Sequence, residues 1–263
     1  MHLDQLFFYP IKSTRGILVS EIEVISTGFL HDREFAVMNA SHTILTAREK
    51  TKLLKIKVAL MGETLVLSAE GQREIHLNYA EAFQNPVETN LFKEPTSARA
   101  AINPVNEWLT NFLQEPCTLI AVDKKTPRFS TKSEPKTPIT FSDSCPVHLV
   151  NIASLKDLNK KLQKPVTIDR FRPNIVVFGN QAYAEENWKR VQIGNCIFEV
   201  VTTTKRCTLI TIDPETAEKD KDQEPLRKLA TYKKDEEGVG FGVYLVPTIT
   251  GTIRLSDQII VDP

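Results

Sequence analysis

Short apolar runs, many of them rich in β-branched and aromatic residues, constrain the fold of this chain more than any other feature. Residues 3–8 and 29–38 are two such runs, and residues of these types are enriched in β-strands. Residues 54–60 and 63–68 flank Met61-Gly62, which predicts a β-hairpin. Because short turns separate the runs, the pattern favours a barrel or sandwich over a parallel α/β sheet.

One helix is well signalled between two prolines. Asn103 can cap it, Pro104 suits the first helical position, and Pro116 closes it. The apolar residues between these points recur at helical spacing and are Val105, Trp108, Leu109, Phe112 and Leu113. Such a stripe is typical of a helix that packs against a core.

Residues 123–138 are rich in basic residues, proline, serine and threonine and contain few apolar residues. This composition predicts a loop and a domain boundary, with one domain over residues 1–122 and a second over residues 123–263. We expect the basic residues of the loop to be solvated, and a loop that covers a substrate is the alternative.

The second predicted domain mixes helices with strands. Leu155, Leu158 and Leu162 share one helical face, which Asn151 or Ser154 could cap. Short apolar runs on both sides of this helix indicate strands. The predicted fold class is therefore α+β and rich in strands.

Charge and hydropathy argue against several classes of protein. Lysine plus arginine, 33, equals aspartate plus glutamate, 33, so the chain lacks the basic excess typical of nucleic-acid binding. No apolar run reaches the roughly 18 residues that span a bilayer, and the N-terminus carries no signal-peptide pattern. The four cysteines form no C-x-x-C pair. We expect a soluble, reduced, cytoplasmic protein with no nucleic-acid or membrane partner.

Cys207 is the position that most suggests chemistry. It follows Lys205 and Arg206 at the end of a strand-like run. Two neighbouring cations favour the thiolate, which is both a nucleophile and a soft metal ligand. The alternative is a buried, inert thiol, which is the commoner role of an isolated cysteine.

Other basic and polar residues occur where turns interrupt apolar runs. A phosphate group requires such a set, which combines a lysine point charge, arginine forks and hydroxyl donors. The alternative is ordinary surface charge at strand ends, since the sequence does not show whether these residues converge. The residues are Lys12, Ser13, Arg33 and Arg172.

Two further motifs are weaker evidence for a functional site. The glycine-rich residues 238–242 lack the lysine and the spacing of a nucleotide-binding loop, so we interpret them as a tight entry to a strand. His31 and His148 have no carboxylate or serine arranged around them as in a catalytic motif, so we interpret both as structural.

Taken together, several segments resemble the MOSC family and occur in its order. Residues 6–13 (LFFYPIKS) and 28–33 (GFLHDR) resemble its N-terminal β-barrel domain. Residues 169–175 (DRFRPNI), 205–207 (KRC), 213–214 (DP) and 241–244 (FGVY) resemble the MOSC domain proper. The resemblance implies a MOSC N-terminal β-barrel domain followed by a MOSC β-barrel domain with peripheral helices. Within the family, the chain resembles the mitochondrial amidoxime reducing component and its bacterial counterparts.

This resemblance implies a molybdenum–molybdopterin cofactor, in which the pterin carries a monophosphate. Cys207 matches the metal-binding cysteine and would be both the metal ligand and the catalytic residue. The positions that line the pterin and its phosphate in the family are matched by Lys12, Ser13, Arg33, Arg172, Asn174, Lys205, Arg206 and Tyr244. Asn151 and Ser154 are further candidates. Pyridoxal phosphate, a term attached to the family's domain, is not expected as a ligand.

The implied chemistry is two-electron reduction of N-hydroxylated compounds such as amidoximes and hydroxylamines. Some bacterial relatives carry a C-terminal ferredoxin-like domain. We expect this domain to be absent here and the electrons to come from a separate donor protein of ferredoxin or flavoprotein type. The membrane anchor of the mitochondrial relatives is also expected to be absent. Lys205 stands where relatives often have a small polar residue, which would alter the charge of the pocket.

Two other functions stay open at this point. A non-redox cofactor carrier or sulfur-transfer module is one, because the C-terminal domain of the molybdenum cofactor sulfurase gave the family its name. A β-rich interaction module without a cofactor is the other. Metal analysis and turnover with an artificial reductant distinguish the three functions.

Overall fold

Strands dominate the structure, a computed structural model that describes residues 1–102 and 104–263. In chain order the strands are β1 (His2–Phe8), β2 (Ile17–Val19), β3 (Glu21–Ile25), β4 (Gly28–Phe29), β5 (Phe35–Asn39), β6 (Lys57–Met61), β7 (Thr64–Ser68), β8 (Ile75–Asn78), β9 (Phe83–Leu91), β10 (Glu94–Ala101), β11 (Cys117–Val122), β12 (Arg128–Phe129), β13 (Pro138–Ile139), β14 (Val147–Asn151), β15 (Ile175–Phe178), β16 (Arg190–Ile193), β17 (Cys196–Arg206), β18 (Lys234–Asp235), β19 (Gly238–Ile249), β20 (Gly251–Arg254) and β21 (Ile259–Asp262). The predicted strand-rich α+β class is confirmed.

The helices are short and lie between the strands. The α-helices are α1 (Tyr79–Ala82), α2 (Val105–Leu113), α3 (Ile152–Lys161) and α4 (Leu226–Ala230), and the 3-10 segments are Thr51–Lys55, Ile168–Phe171, Ala184–Asn187 and Thr208–Thr211. Within the described ranges, no helix has the length and apolar character needed to cross a membrane.

Helix α2 confirms the prediction made from the apolar stripe. Its residues Val105 and Leu109 are fully buried, as expected for a helix that packs against a core. The helix begins one residue later than predicted, because Pro104 occupies the capping position rather than the first helical position. The predicted cap, Asn103, lies outside the described residues. Gln114 ends the helix in the left-handed conformation, with a φ of 60°.

The largest sheet joins strands from both ends of the chain. Its nine strands, counted over the described ranges, run in the order β2-β1-β15-β14-β19-β17-β16-β21, with β18 beside β19. β1 pairs antiparallel with β15, and β15 pairs parallel with β14. The N-terminal strands therefore share a sheet with strands that follow the predicted boundary at residues 122 and 123. The boundary itself stays a prediction.

A separate four-stranded sheet, in the order β5-β11-β10-β9, supports the N-terminal core. Helix α2 packs against β11, and Phe35, Leu109 and Leu119 are buried between these elements. The predicted hairpin at Met61-Gly62 is confirmed by the pairing of β6 with β7. Its first strand begins at Lys57 rather than at residue 54, because the buried residues before it form a 3-10 turn.

Strand order brings several loops to one place in the large sheet. β1, β15, β14, β19 and β17 are successive neighbours. The segment after β1, the turn after β4, the residues before β15 and the residue after β17 all border one cavity. The sheet therefore gathers residues that are distant in sequence.

The glycine-rich residues 238–242 form the start of β19, in agreement with their interpretation as a strand entry. Gly242 has a φ of +72°, which L-amino acids with a side chain rarely adopt. A Cβ atom at Gly242 would lie 2.6 Å from the carbonyl oxygen of Leu149 and 2.7 Å from Nε2 of His148. Glycine at this position therefore allows β19 to approach β14 beside the cavity.

We expect Gly242→Ala to lower the free energy of unfolding by about 2–5 kcal/mol. The left-handed conformation accounts for about 1–2 kcal/mol, and overpacking against β14 for about 1–3 kcal/mol. Urea denaturation followed by circular dichroism measures the change. Gly62→Ala is the matched control, because Gly62 has a φ of +57° and a Cβ there would meet no atom within 4 Å. Equal losses for the two variants would contradict the steric explanation.

Candidate functional site

One cavity gathers most of the residues predicted from the sequence. The volume of this cavity, including the space at its opening, is about 760 Å³. Nine of the eleven predicted site residues line it, namely Lys12, Ser13, Arg33, Arg172, Asn174, Lys205, Arg206, Cys207 and Tyr244. The convergence that the sequence could not reveal is therefore present in the fold.

The ring of Tyr9 contacts two of the arginines of the cavity. The guanidinium carbons of Arg33 and Arg172 are each 4.2 Å from the centre of its ring. Its hydroxyl donates to the carbonyl oxygen of Pro173 at 3.0 Å, and burial raises the pKa of Tyr9, so the phenol stays protonated. Cation–π contacts are worth roughly 0.5–2 kcal/mol each, depending on burial. The ring thereby holds two like charges close together.

Arg33 is fixed by two acceptors that share its Nη1. It forms an ion pair with Asp32, which is buried and also accepts a hydrogen bond from the backbone N–H of Tyr9 at 2.8 Å. It donates to Oδ1 of Asn174 at 3.0 Å. Arg33 is therefore a rigid wall of the cavity rather than a mobile surface residue.

The side chain of Asn174 connects two strands next to Arg33. Its Oδ1 also accepts from the backbone N–H of His148 at 3.2 Å, and its Nδ2 donates to the carbonyl oxygen of Phe7 at 3.2 Å. Because Phe7 belongs to β1 and His148 to β14, the amide links the two halves of the chain behind the cavity.

Two arginines of the cavity retain buried donors without a partner. Arg172 donates to the carbonyl oxygen of Thr14 at 2.7 Å and Arg206 to that of Phe171 at 2.8 Å. Nη2 of Arg172, Nε of Arg206 and Oγ1 of Thr46 have no hydrogen-bond partner among the described residues. An unpaired buried polar group costs about 1–3 kcal/mol. An anion bound in the cavity would supply acceptors for these groups.

Desolvation disfavours the charged form of both arginines. It lowers the pKa of Arg172 to about 10 and also lowers the pKa of Arg206. At neutral pH Arg172 still carries its positive charge, so the interior of the cavity favours an anionic ligand.

Cys207 borders the same cavity at the end of β17. It has extended backbone angles, is partly exposed, and precedes the 3-10 segment Thr208–Thr211. Of the two cations expected to act on its thiol, Lys205 is already paired with Asp235 and lies 3.9 Å from Glu237. Arg206, which has no ion pair within the described ranges, is the cation that stays uncompensated beside it.

Sequence reasoning missed several residues of the cavity. Asp143 forms an ion pair with Lys12, and this neighbour lowers the pKa of Asp143. Arg48, Phe92 and Cys145 also line the cavity. Asp143 lies in a short polar stretch between apolar residues, which is a weak signal, and nothing in the local sequence around Phe92 indicates a site.

His148 lines the cavity although we interpreted it as structural. Its Nε2 lies 3.4 Å from Nη1 of Arg206. Burial and the charges of Arg206 and Arg33 hold its pKa well below the usual value, so the ring is neutral at pH 7. His31, in contrast, pairs with Glu34 at 2.7 Å and does not border this cavity.

Asn151 and Ser154 are the two predicted residues that the structure does not bring to the cavity. Asn151 caps α3 by accepting from the backbone N–H of Ala153 at 3.0 Å, as the sequence predicted for the helix. Ser154 is buried and donates to Oε1 of Glu185 at 2.7 Å. The chain turns into α3 after β14, and this turn carries both side chains away from the other candidates.

The described residues contain no group of three or more histidine, cysteine, aspartate or glutamate side chains arranged to hold a metal ion. Cys207 is the partly exposed thiol of the cavity and could hold a metal whose further ligands come from a cofactor. The donor set fits that arrangement, because one soft thiol lies beside cationic and neutral hydrogen-bond donors.

Comparison with known families gives two matches in sequence order. Residues 1–116 match the MOSC N-terminal beta barrel domain, and residues 136–260 match the MOSC domain.

The chain is similar in sequence to known proteins and more distantly similar to a solved structure. Mitochondrial amidoxime-reducing component 1 of Homo sapiens is 32% identical, over 97% of this chain and 81% of that protein. Molybdenum cofactor sulfurase of Oryza sativa subsp. japonica is 26% identical, over 93% of this chain and 32% of that protein. The solved structure of the YUAD protein from Bacillus subtilis covers 98% of this chain and 93% of its own, with 8% identity and a TM-score of 0.42, a likeness too low to bear on the fold.

The buried carboxyl group of Glu185, which accepts from Ser154, should make the stability of the protein depend on pH. Burial raises the pKa of Glu185, and its Oε2 has no hydrogen-bond partner within the described ranges. Because the folded-state pKa lies above the unfolded value of about 4.3, the folded state loses stability as pH rises above that value. We expect Glu185→Gln to lose less stability than wild type between pH 4.5 and pH 7.5, measured by urea denaturation.

Glu236→Gln is the control, because Glu236 is exposed and forms no ion pair within the described ranges, so this variant should follow the wild-type pH profile. If Glu185→Gln followed the wild-type pH profile, Glu185 would not be the group responsible.

Proposed function

The chain belongs to the MOSC family, and from this we propose that it is a molybdenum-cofactor-dependent reductase of small N-hydroxylated compounds. The observation that carries the proposal is a single cavity that combines the partly exposed thiol of Cys207 with buried, unpartnered arginine donors. The name of the human relative, an amidoxime-reducing component, supports the reaction class.

Each part of the cofactor has a fitting residue in the cavity. Cys207 would be the metal ligand, since a thiolate is a soft ligand suited to such a metal. Arg172 and Arg206 would bind the phosphate, because each has a buried donor without an acceptor. Lys12, held by Asp143 and by the carbonyl oxygen of Phe141 at 2.7 Å, would contribute a fixed positive charge.

When bound, the molybdenum cofactor would supply the two-electron reduction itself. The chain's own residues would bind and orient the cofactor. Burial raises the pKa of Tyr244 to about 12, so its hydroxyl keeps its proton and can donate to an anionic group. His148 is neutral and can accept a hydrogen bond from Arg206, which would hold that arginine in place.

The electrons would come from a separate donor protein of ferredoxin or flavoprotein type. The partly exposed position of Cys207 supports access for both a small substrate and an electron donor. We propose the cytoplasm as the compartment, which agrees with the four free cysteines, since disulfides are rare in reducing compartments.

A non-redox carrier or sulfur-transfer module is the second candidate. The similarity to molybdenum cofactor sulfurase favours it, although that similarity covers 32% of the larger protein. Holoprotein that contains molybdenum but does not reduce an amidoxime with an artificial reductant would support this candidate. Protein from a cofactor-competent host that contains no molybdenum would instead support an interaction module without a cofactor.

We expect Cys207→Ser to keep the fold but to lose most of its molybdenum and turnover. The hydroxyl is a harder and less acidic ligand than the thiol, so the metal would lose its protein ligand. Elemental analysis of protein purified from a cofactor-competent host, beside amidoxime reduction by an artificial reductant, measures both effects.

Cys117→Ala is the control, because Cys117 is buried in β11 away from the cavity and should leave the metal content unchanged. A Cys207→Ser protein with full metal content and activity would disprove the assignment.

Arg172→Met should weaken retention of the cofactor by about 10–100-fold. The substitution keeps much of the side-chain volume against Tyr9 and removes the charge-assisted hydrogen bonds, which are worth about 1.5–3 kcal/mol. Fluorescence of the released, oxidised pterin after stepwise dialysis measures retention. Loss of pterin equal to wild type would exclude Arg172 from the phosphate site.

A further inference from the structure

The cations of the cavity differ in how far their charges are already compensated. Lys12 pairs with Asp143, Arg33 with Asp32, and Lys205 with Asp235. In the proposed function, the interior arginines Arg172 and Arg206 would face the phosphate of the cofactor. These five cations are therefore accounted for by partners in the protein or by the proposed cofactor.

Arg48 is the remaining cation that lines the cavity, and neither an acidic partner among the described residues nor the proposed cofactor compensates its charge. Across residues 1–102 and 104–263, its side chain forms no ion pair and no hydrogen bond. It is partly buried, lines the cavity, and lies near enough to Asp143 for its charge to lower the pKa of that carboxyl group. A partly desolvated guanidinium without an anion is a recognition element for one.

An exposed aromatic ring holds this guanidinium at the mouth of the cavity. The guanidinium carbon of Arg48 is 4.5 Å from the centre of the Phe92 ring. Phe92 is 41% exposed, a high value for a phenylalanine, and it too lines the cavity. The ring and the charge together form a flat, cationic rim where an incoming molecule would first make contact.

The backbone fixes Phe92 in this position. Phe92 and Lys93 connect β9 to β10, and both have positive φ, at 53° and 71°. A two-residue connection with two left-handed residues is a tight hairpin turn whose twist matches the flanking strands. Glycine and asparagine favour such turns, so a phenylalanine here is retained at a conformational cost of about 1–2 kcal/mol.

We propose that Arg48 and Phe92 form an outer subsite that binds the carboxylate of aromatic substrates and so selects acidic N-hydroxylated compounds. The inference rests on the proposed reductase function and adds the substrate class to it. A guanidinium binds a carboxylate through two parallel hydrogen bonds, and the neighbouring ring offers an apolar contact to an aromatic body. The substrate would lie with its acidic end at the rim and its N-hydroxylated end toward Cys207.

The test compares benzamidoxime with 4-carboxybenzamidoxime as substrates of the holoenzyme with an artificial reductant. Wild type should show a KM for the carboxylate about 10-fold or more below that for the neutral compound, the effect of one charge-assisted pair. Arg48→Met should abolish this preference while leaving the KM for benzamidoxime within about twofold. Phe92→Leu should weaken it by about two- to fivefold, as expected for loss of a cation–π contact.

Arg73→Met is the matched control, because it removes one exposed positive charge that does not line the cavity. It should leave both KM values unchanged. Molybdenum and pterin content are measured for every variant. Three outcomes would overturn the subsite and leave the reductase function standing. Arg48→Met could change the KM of both substrates equally, wild type could show no preference for the carboxylate, or Arg48→Met could lose its cofactor.

Failure of the proposed function gives a different pattern. Wild type would then reduce neither compound. Isothermal titration with 4-carbamoylbenzoate and benzamide, which carry no N-hydroxyl group and whose amide is neutral, would test the subsite by itself. Tighter binding of the carboxylate that Arg48→Met abolishes would sustain the subsite. Equal binding of the two ligands would refute it.

Discussion

The contact of the buried Tyr9 ring with both Arg33 and Arg172 is the interaction on which the site depends. Two like charges would separate if they were free in solution, and the buried ring holds them together while Asp32 compensates one of them. Arg33 belongs to the N-terminal part of the chain and Arg172 to the C-terminal part. The aromatic ring therefore joins the two parts at the point where an anion would bind.

The cavity also concentrates backbone strain. Ser13, Arg33, Phe92 and Arg172 all line it, and all have positive φ, between 48° and 67°. Left-handed residues other than glycine cost of order 1–3 kcal/mol each and cluster at functional sites. Next to Arg33 and Arg172, the hydrogen bonds of Asn174 to β1 and β14 help to hold the backbone in place.

The sequence predicted the strand-rich class, helix α2 and the hairpin at Met61-Gly62, because each follows from periodicity within a short window. It identified most residues of the cavity, because basic residues at strand ends and the resemblance to a family pointed to the same positions. It missed Arg48 and Phe92, since their proximity arises from pairing between β9 and β10 and from contacts across the fold. It also assigned Ser154 to the site, although the first turn of α3 directs that side chain to Glu185.

The pairing of β1 with β15 has a consequence for how the protein is made. Leu6 pairs with Ile175, and residues as far apart as Lys12 and Tyr244 border the same cavity. During synthesis β1 can pair at once with β2, which follows it closely, but its other edge stays unpaired until β15 has left the ribosome. Contacts this distant in sequence form slowly. Because Tyr244 of β19 lines the cavity, the cavity is complete only after translation has passed β19.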